Sequence, residues 1–60
     1  MKYISTRKYA GIEWECYKDK KNNYYIAINH NFGESVNSDS WDKLWSEIIK
    51  KSKKIRKKRG

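Results

Sequence analysis

Trp41-Asp42-Lys43-Leu44-Trp45-Ser46-Glu47-Ile48-Ile49 is the stretch that decides the fold. Its apolar residues Trp41, Leu44, Trp45, Ile48 and Ile49 recur at i, i+3, i+4, i+7 and i+8, which puts them on one face of an α-helix. Ser38, Asp39 or Ser40 can cap the start, and Asp39 and Asp42 suit the positive end of the helix dipole. Glu47 and Lys51 form a favourable i,i+4 pair. At helical spacing, Trp41 and Trp45 read as core rather than as an aromatic ligand platform. Ser52 and Ile55 continue the inward stripe at seven-residue spacing, so the pattern allows helix to about Lys57. Lys50/Lys54, Lys53/Lys57 and Lys54/Lys58 are like-charge pairs one turn apart, each costing a few tenths of a kcal/mol. The expectation is a packed stripe that ends at Ile49, with helix fraying past about Lys53 unless an anion neutralises it.

Upstream the chain reads as strands. Lys2 to Tyr9 alternates loosely, with Ile4 and Thr6 on one side and Tyr3, Ser5 and Arg7 on the other. Ala10-Gly11 is a tight turn. Ile12 to Lys18 alternates clearly, with Ile12, Trp14 and Cys16 on one face and Glu13, Glu15 and Tyr17 on the other. Lys18 to Asn23 is a polar turn, and Tyr24 to Asn29 is a third strand with Tyr24, Ile26 and Ile28 facing inward. His30 to Ser40 reads as a loop that holds at most a short extended piece near Val36. The expected fold is α+β: a three-stranded antiparallel sheet (β-β-β-α) with one C-terminal amphipathic helix on one face. Ile4, Ile12, Trp14, Ile26 and Ile28 would meet that helix.

Sixty residues allow one domain and a thin core. With Met1 at its head, the chain reads as a complete short frame. Cys16 is the lone cysteine, so no internal disulfide forms, and a reducing cytoplasm is expected. Nothing resembles a targeting segment or a membrane span. Lys, Asn, Ile and Tyr are abundant while Pro and Gln are missing, the bias of AT-rich genomes such as those of many phages.

The charge is divided unevenly along the chain. Residues 1–49 hold seven Lys/Arg and seven Asp/Glu; residues 50–60 hold eight Lys/Arg and no acid. A neutral body, 1–49, thus carries a basic helical extension or tail, 50–60. Lys50, Lys51, Lys53, Lys54, Arg56, Lys57, Lys58 and Arg59 are the candidate nucleic-acid-binding residues, since clustered cations release counterions from phosphate. Arg7, Lys18, Lys20 and Lys21 can add contacts from the sheet edge and hairpin loop. Membrane attachment is not expected, because Ile55 is the segment's one apolar residue and no lipidation motif accompanies it.

The sheet face away from the helix supplies a second candidate. Tyr3, Arg7, Tyr17 and Tyr25 are expected there as protein-interface residues, with Tyr9, Glu13 and Glu15 beside them. The two glutamates repel phosphate and suit a protein partner. Cys16 and His30 read as a core thiol and a surface histidine, not as a nucleophile and its base. No catalytic residues, metal, cofactor or small-molecule substrate are expected.

The order of three strands and then a helix resembles the amino-terminal arm-binding domains of phage integrases and the plant AP2-type domains. That likeness implies DNA contact through the sheet. Here the free face carries glutamates where the AP2-type face carries Arg and Trp, so no residue role carries over. Tyr24-Tyr25-Ile26-Ala27 through Ser38-Asp39-Ser40-Trp41 is similar to HicB antitoxins, in which a strand leads to a capped helix. Two functions are therefore expected in order. The first is a small cytoplasmic nucleic-acid-binding regulator of phage or mobile-element type, acting in the host cytoplasm if phage-encoded. The second is a protein-binding inhibitor or antitoxin that docks its tyrosine face on a host enzyme or toxin.

Overall fold

The computed structural model describes residues 1–59, with side chains as far as Lys57. Strands β1 (Lys2–Tyr9), β2 (Ile12–Asp19), β3 (Tyr24–Asn29) and β4 (Glu34–Ser38) precede helix α1 (Trp41–Arg59). The strands form an antiparallel meander in the order β1-β2-β3-β4, and α1 crosses one face. The chain is therefore α+β, with an antiparallel sheet and one C-terminal helix, but the sheet has four strands where three are expected. β4 lies in the stretch that reads as a loop. Val36 is its one apolar residue, and Val36 packs against the core. Pairing with β3, from Tyr25↔Ser38 to Asn29↔Glu34, sets this strand despite its weak intrinsic preference.

The turns follow from local chemistry. Ala10 and Gly11 both have positive φ, 54° and 81°, the signature of a two-residue type I′ hairpin. In the β2–β3 turn, Asp19 Oδ1 accepts from the amides of Lys21 (3.0 Å) and Asn22 (3.2 Å), while Asn23 takes the left-handed backbone. The Asn22 side chain, whose Nδ2 donates to Asp19 Oδ2 (3.1 Å), and after it these backbone bonds hold the Asp19 carboxyl below its usual pKa.

Two local features decide which side chains meet the helix. The first is an irregularity in β1, where the register passes from Tyr3↔Tyr17 to Ser5↔Cys16 and skips Ile4. A bulge of this kind flips the alternation that follows it. Ile4 is left exposed, and Arg7 and Tyr9 turn toward the helix opposite Trp14 and Ile12. The second lies in β3. Cys16↔Ala27 and Lys18↔Tyr25 place Tyr25, Ala27 and Asn29 on the helix side, so Tyr24, Ile26 and Ile28 face away, reversing the expectation. Ala27 is fully buried, and its small side chain leaves room for α1. Asn29 is buried too; its Nδ2 donates to Glu13 O (2.7 Å) and its Oδ1 accepts from Phe32 N (2.7 Å). Both amide groups are thus satisfied, and the β3–β4 turn is tied to β2.

The core comprises Ile12, Trp14, Cys16, Ala27, Leu44, Ile48 and Ile55. Tyr9, Tyr25, Val36, Trp41 and Trp45 pack around it, half-buried.

Ala10 occupies a conformation that costs an L-residue with a Cβ about 1–2 kcal/mol, and asparagine tolerates it better. Ala10→Asn is expected to raise the urea midpoint, with a gain of about 1 kcal/mol at unchanged m. A lowered midpoint would show that this turn does not adopt the type I′ geometry.

Candidate nucleic-acid interface

Helix α1 begins with a side-chain cap. Ser40 Oγ accepts from Lys43 N (3.2 Å), and Ser40 O accepts the first helical bond from Leu44 N (3.0 Å). Asp42 lies in the first turn, and Lys43 pairs with Asp39 at 3.6 Å.

The helix continues to Arg59 rather than fraying past Lys53, and its packed stripe does not end at Ile49. Ser52 is fully buried and its Oγ accepts from Trp14 Nε1 at 2.9 Å. Ile55 is 7% exposed and belongs to the core. A buried indole N–H without a partner is costly, so Trp14 holds Ser52 in place. Ser52 is also small enough to let the helix backbone come close to the sheet. Two ion pairs assist: Lys51 with Glu34 of β4 at 3.4 Å, and Lys50 with Glu47 at 3.7 Å. This packing is what opposes the repulsion between lysines one turn apart.

Burial of Ser52 and Ile55 settles where the cations stand. Lys50, Lys53, Lys54, Arg56 and Lys57 are exposed, and Lys51 is half-buried on the flank toward β4. Among the described residues, no carboxylate lies within ion-pair distance of Lys53, Lys54, Arg56 or Lys57. The side chains of Lys58 and Arg59 lie outside the described residues. Of the basic residues expected to act together, Lys50, Lys53, Lys54, Arg56 and Lys57 therefore share one exposed helical surface, while Lys51 stands apart against Glu34. That surface belongs to a packed helix, not to a detachable tail.

The tyrosine face is smaller than expected. Tyr3 and Tyr17 lie on the uncovered side of the sheet, their rings edge to face at 5.6 Å. Tyr17 Oη donates to Glu15 Oε1 (2.7 Å), and His30 Nε2 lies 3.1 Å from the same oxygen. These contacts, Tyr17's first and His30's second, hold the Glu15 carboxyl below its usual pKa, and Glu15 in turn pushes the Tyr17 phenol up. Arg7 and Tyr25 are not on that face. The Arg7 guanidinium lies over the rings of Trp41 (5.3 Å) and Trp45 (6.0 Å), and Tyr25 meets Trp41 edge to face at 5.7 Å. The bulge at Ile4 and the reversed parity of β3 account for both displacements. In their place the uncovered face holds Ile26 and Ile28, opposite Tyr17 and Glu15. No local signal marks these isoleucines as outward, since their alternation suits either face.

Cys16 is buried on the helix side, and burial pushes its thiol pKa up. His30 is exposed and bonded to Glu15 on the opposite face, so the sheet separates the two. Among the described residues, no group of His, Cys, Asp or Glu side chains could hold a metal ion, and no helix is long and apolar enough to cross a membrane.

The chain matches no family model, no curated protein and no solved structure.

Ser52→Ala strands the Trp14 indole and is expected to cost about 1–3 kcal/mol. Ile55→Ala opens a cavity and is expected to cost about 2–5 kcal/mol. Both are read from urea unfolding. Midpoints unchanged in both variants would mean that the basic half of α1 is not part of the core.

Proposed function

We propose that this chain is a small nucleic-acid-binding regulatory protein that grips phosphates with the exposed face of α1 from Lys50 onward. The observation that carries the reading is the set Lys53, Lys54, Arg56 and Lys57, exposed and without an ion-pair partner among the described residues. Four unpaired cations on the last two turns of a helix, opposite a packed face, repel one another. Placing a polyanion beside them turns that repulsion into attraction and releases condensed counterions. The rest of the chain is neutral by count, so this is where a long-range field originates. A pre-formed helix adds to the argument. Its backbone need not be ordered on binding, so less of the phosphate attraction is lost to entropy.

A second reading keeps some support from the uncovered sheet face. Tyr3, which is 52% exposed, stands with Tyr17, Ile26 and Ile28 on a surface that no element covers. Tyrosine and aliphatic side chains on a rigid sheet suit a protein partner, as an inhibitor or antitoxin would need. The face suits a phosphate backbone poorly, since Glu13 and Glu15 sit on it and outnumber Lys8, which stands opposite Glu13. Tyr17→Ala with Ile26→Ala addresses this reading alone, because both side chains are remote from the basic helix face.

Salt titration of nucleic-acid affinity tests the first reading. Neutralising ~4–6 phosphates gives a slope of log K against log salt of about −4 to −5 on duplex DNA. The fourfold variant Lys53→Gln, Lys54→Gln, Arg56→Gln, Lys57→Gln is expected to flatten that slope by about 3–4. Its thermal midpoint should hold or rise, because like-charge pairs are removed while Ser52 and Ile55 stay. A folded fourfold variant with wild-type affinity and slope would refute the proposal.

A further inference from the structure

Helix α1 leans toward β4, where Lys51 meets Glu34, and leaves a groove along its other flank. One part, about 280 Å³, is floored by Leu44 and Ile48 and walled by Trp41, Trp45 and Arg7. A second part, about 500 Å³, adjoins it at Trp41 and is lined by Tyr25, Lys2, Lys18 and Lys20. Trp41 borders both parts, so the two depressions lie side by side on this flank. The groove's wall is aromatic, with Trp41, Trp45 and Tyr25 all half-buried and lining the opening. Cations already sit on these rings: Arg7 over both tryptophans and Lys18 Nζ over Tyr25 at 5.1 Å.

One end is basic, and the helix flank beyond the other end carries further cations. Lys2, Lys18 and Lys20 mark one end. At 100° per residue, Ile49, Lys53 and Arg56 follow Trp45 along the β1 side of α1, the flank opposite Lys51. From Trp41 to Arg56 the path is about 22 Å long at 1.5 Å per residue. One carboxylate, Asp42, lines it against four cations.

We infer that this groove takes single-stranded nucleic acid, with unpaired bases stacked against Trp41 and Trp45 and the backbone running from the Lys2–Lys18–Lys20 end to Lys53 and Arg56. Half-buried aromatic rings whose cation partners can move aside are what an unpaired strand can use and a duplex cannot, because a duplex keeps its base faces to itself. Arg7 shifts from the tryptophan faces to a phosphate or a base as the strand enters, and it retains a stacking partner in either position. The inference rests on the nucleic-acid reading above and specifies the strand type and the second half of the contact surface.

The test is titration of the intact protein with a thymidine homopolymer oligonucleotide and, separately, with a duplex of the same length, following tryptophan emission. Trp14 is fully buried, so quenching reports Trp41 and Trp45. The expected result is quenching by the single strand and tighter binding of it than of the duplex. Trp41→Leu is expected to weaken single-strand binding by about fivefold or more and to leave duplex binding as it was. Should Trp41→Leu unfold, Lys2→Gln with Lys18→Gln and Lys20→Gln still decides the matter on exposed and half-exposed sites. It should flatten the single-strand salt slope by about 2. Single-strand binding without any change in emission, or an unchanged slope in the triple variant, overturns the groove. If the fourfold helix variant still loses affinity in that event, the phosphate-gripping helix survives alone. Binding of neither strand type removes both.

Discussion

Trp14 Nε1 donates to Ser52 Oγ between two fully buried side chains 38 residues apart. The bond joins the central β2 strand to the middle of the basic segment. It fixes the rotation of α1 about its own axis at the point where composition alone would let the helix dissolve. Ile48 precedes Ser52 by one turn and Ile55 follows by almost one, so three consecutive inward positions are held by the core. Once they are held, Lys50, Lys53, Lys54 and Lys57 have nowhere to point but outward. A chain of this size commands only about 3–9 kcal/mol in total. A single buried polar pair and one isoleucine are therefore a large share of what keeps the cations in array.

Features set by neighbours in sequence were legible. Four of the five residues of the apolar stripe (Trp41, Leu44, Trp45 and Ile48, but not Ile49), the serine cap, the Ala10-Gly11 turn and the clear alternation of Ile12, Trp14 and Cys16 read correctly, because each depends on a few adjacent residues. What depends on distant partners did not. β4 has one apolar residue and exists because β3 offers it a free edge. The parity of β3 was ambiguous. Tyr24, Ile26 and Ile28 form the more apolar set, yet the helix needs the small Ala27 beneath it, and Asn29 needs Glu13 O and Phe32 N. The bulge at Ile4 leaves no mark in composition, and it moves Arg7 from one face of the sheet to the other.

The candidate site divides in the same way. Which residues carry charge was plain, and so was their concentration after Ile49. That the charged segment is also core was hinted at by the seven-residue spacing of Ile48 and Ile55, but the lysine pairs argued the other way. The deciding contact, with Trp14, is invisible locally. The aromatic groove has the same origin. Trp41 and Trp45 do pack on the core as their spacing demands, but the sheet under them is too wide for one helix, so they stay half-buried with the exposed Arg7 over their rings. The same shortage of cover leaves Tyr3, Tyr17, Ile26 and Ile28 on the far side.

Native-state hydrogen exchange on the free protein tests the central claim, that the basic half of α1 is locked to the sheet without any ligand. The amides of Ser52 and Ile55 and the indole N–H of Trp14 should open with the same free energy as Ala27 in β3, because they belong to one cooperative unit. Exchange at unprotected rates beyond Lys51, with the sheet still protected, would contradict the account and make the basic segment a tail.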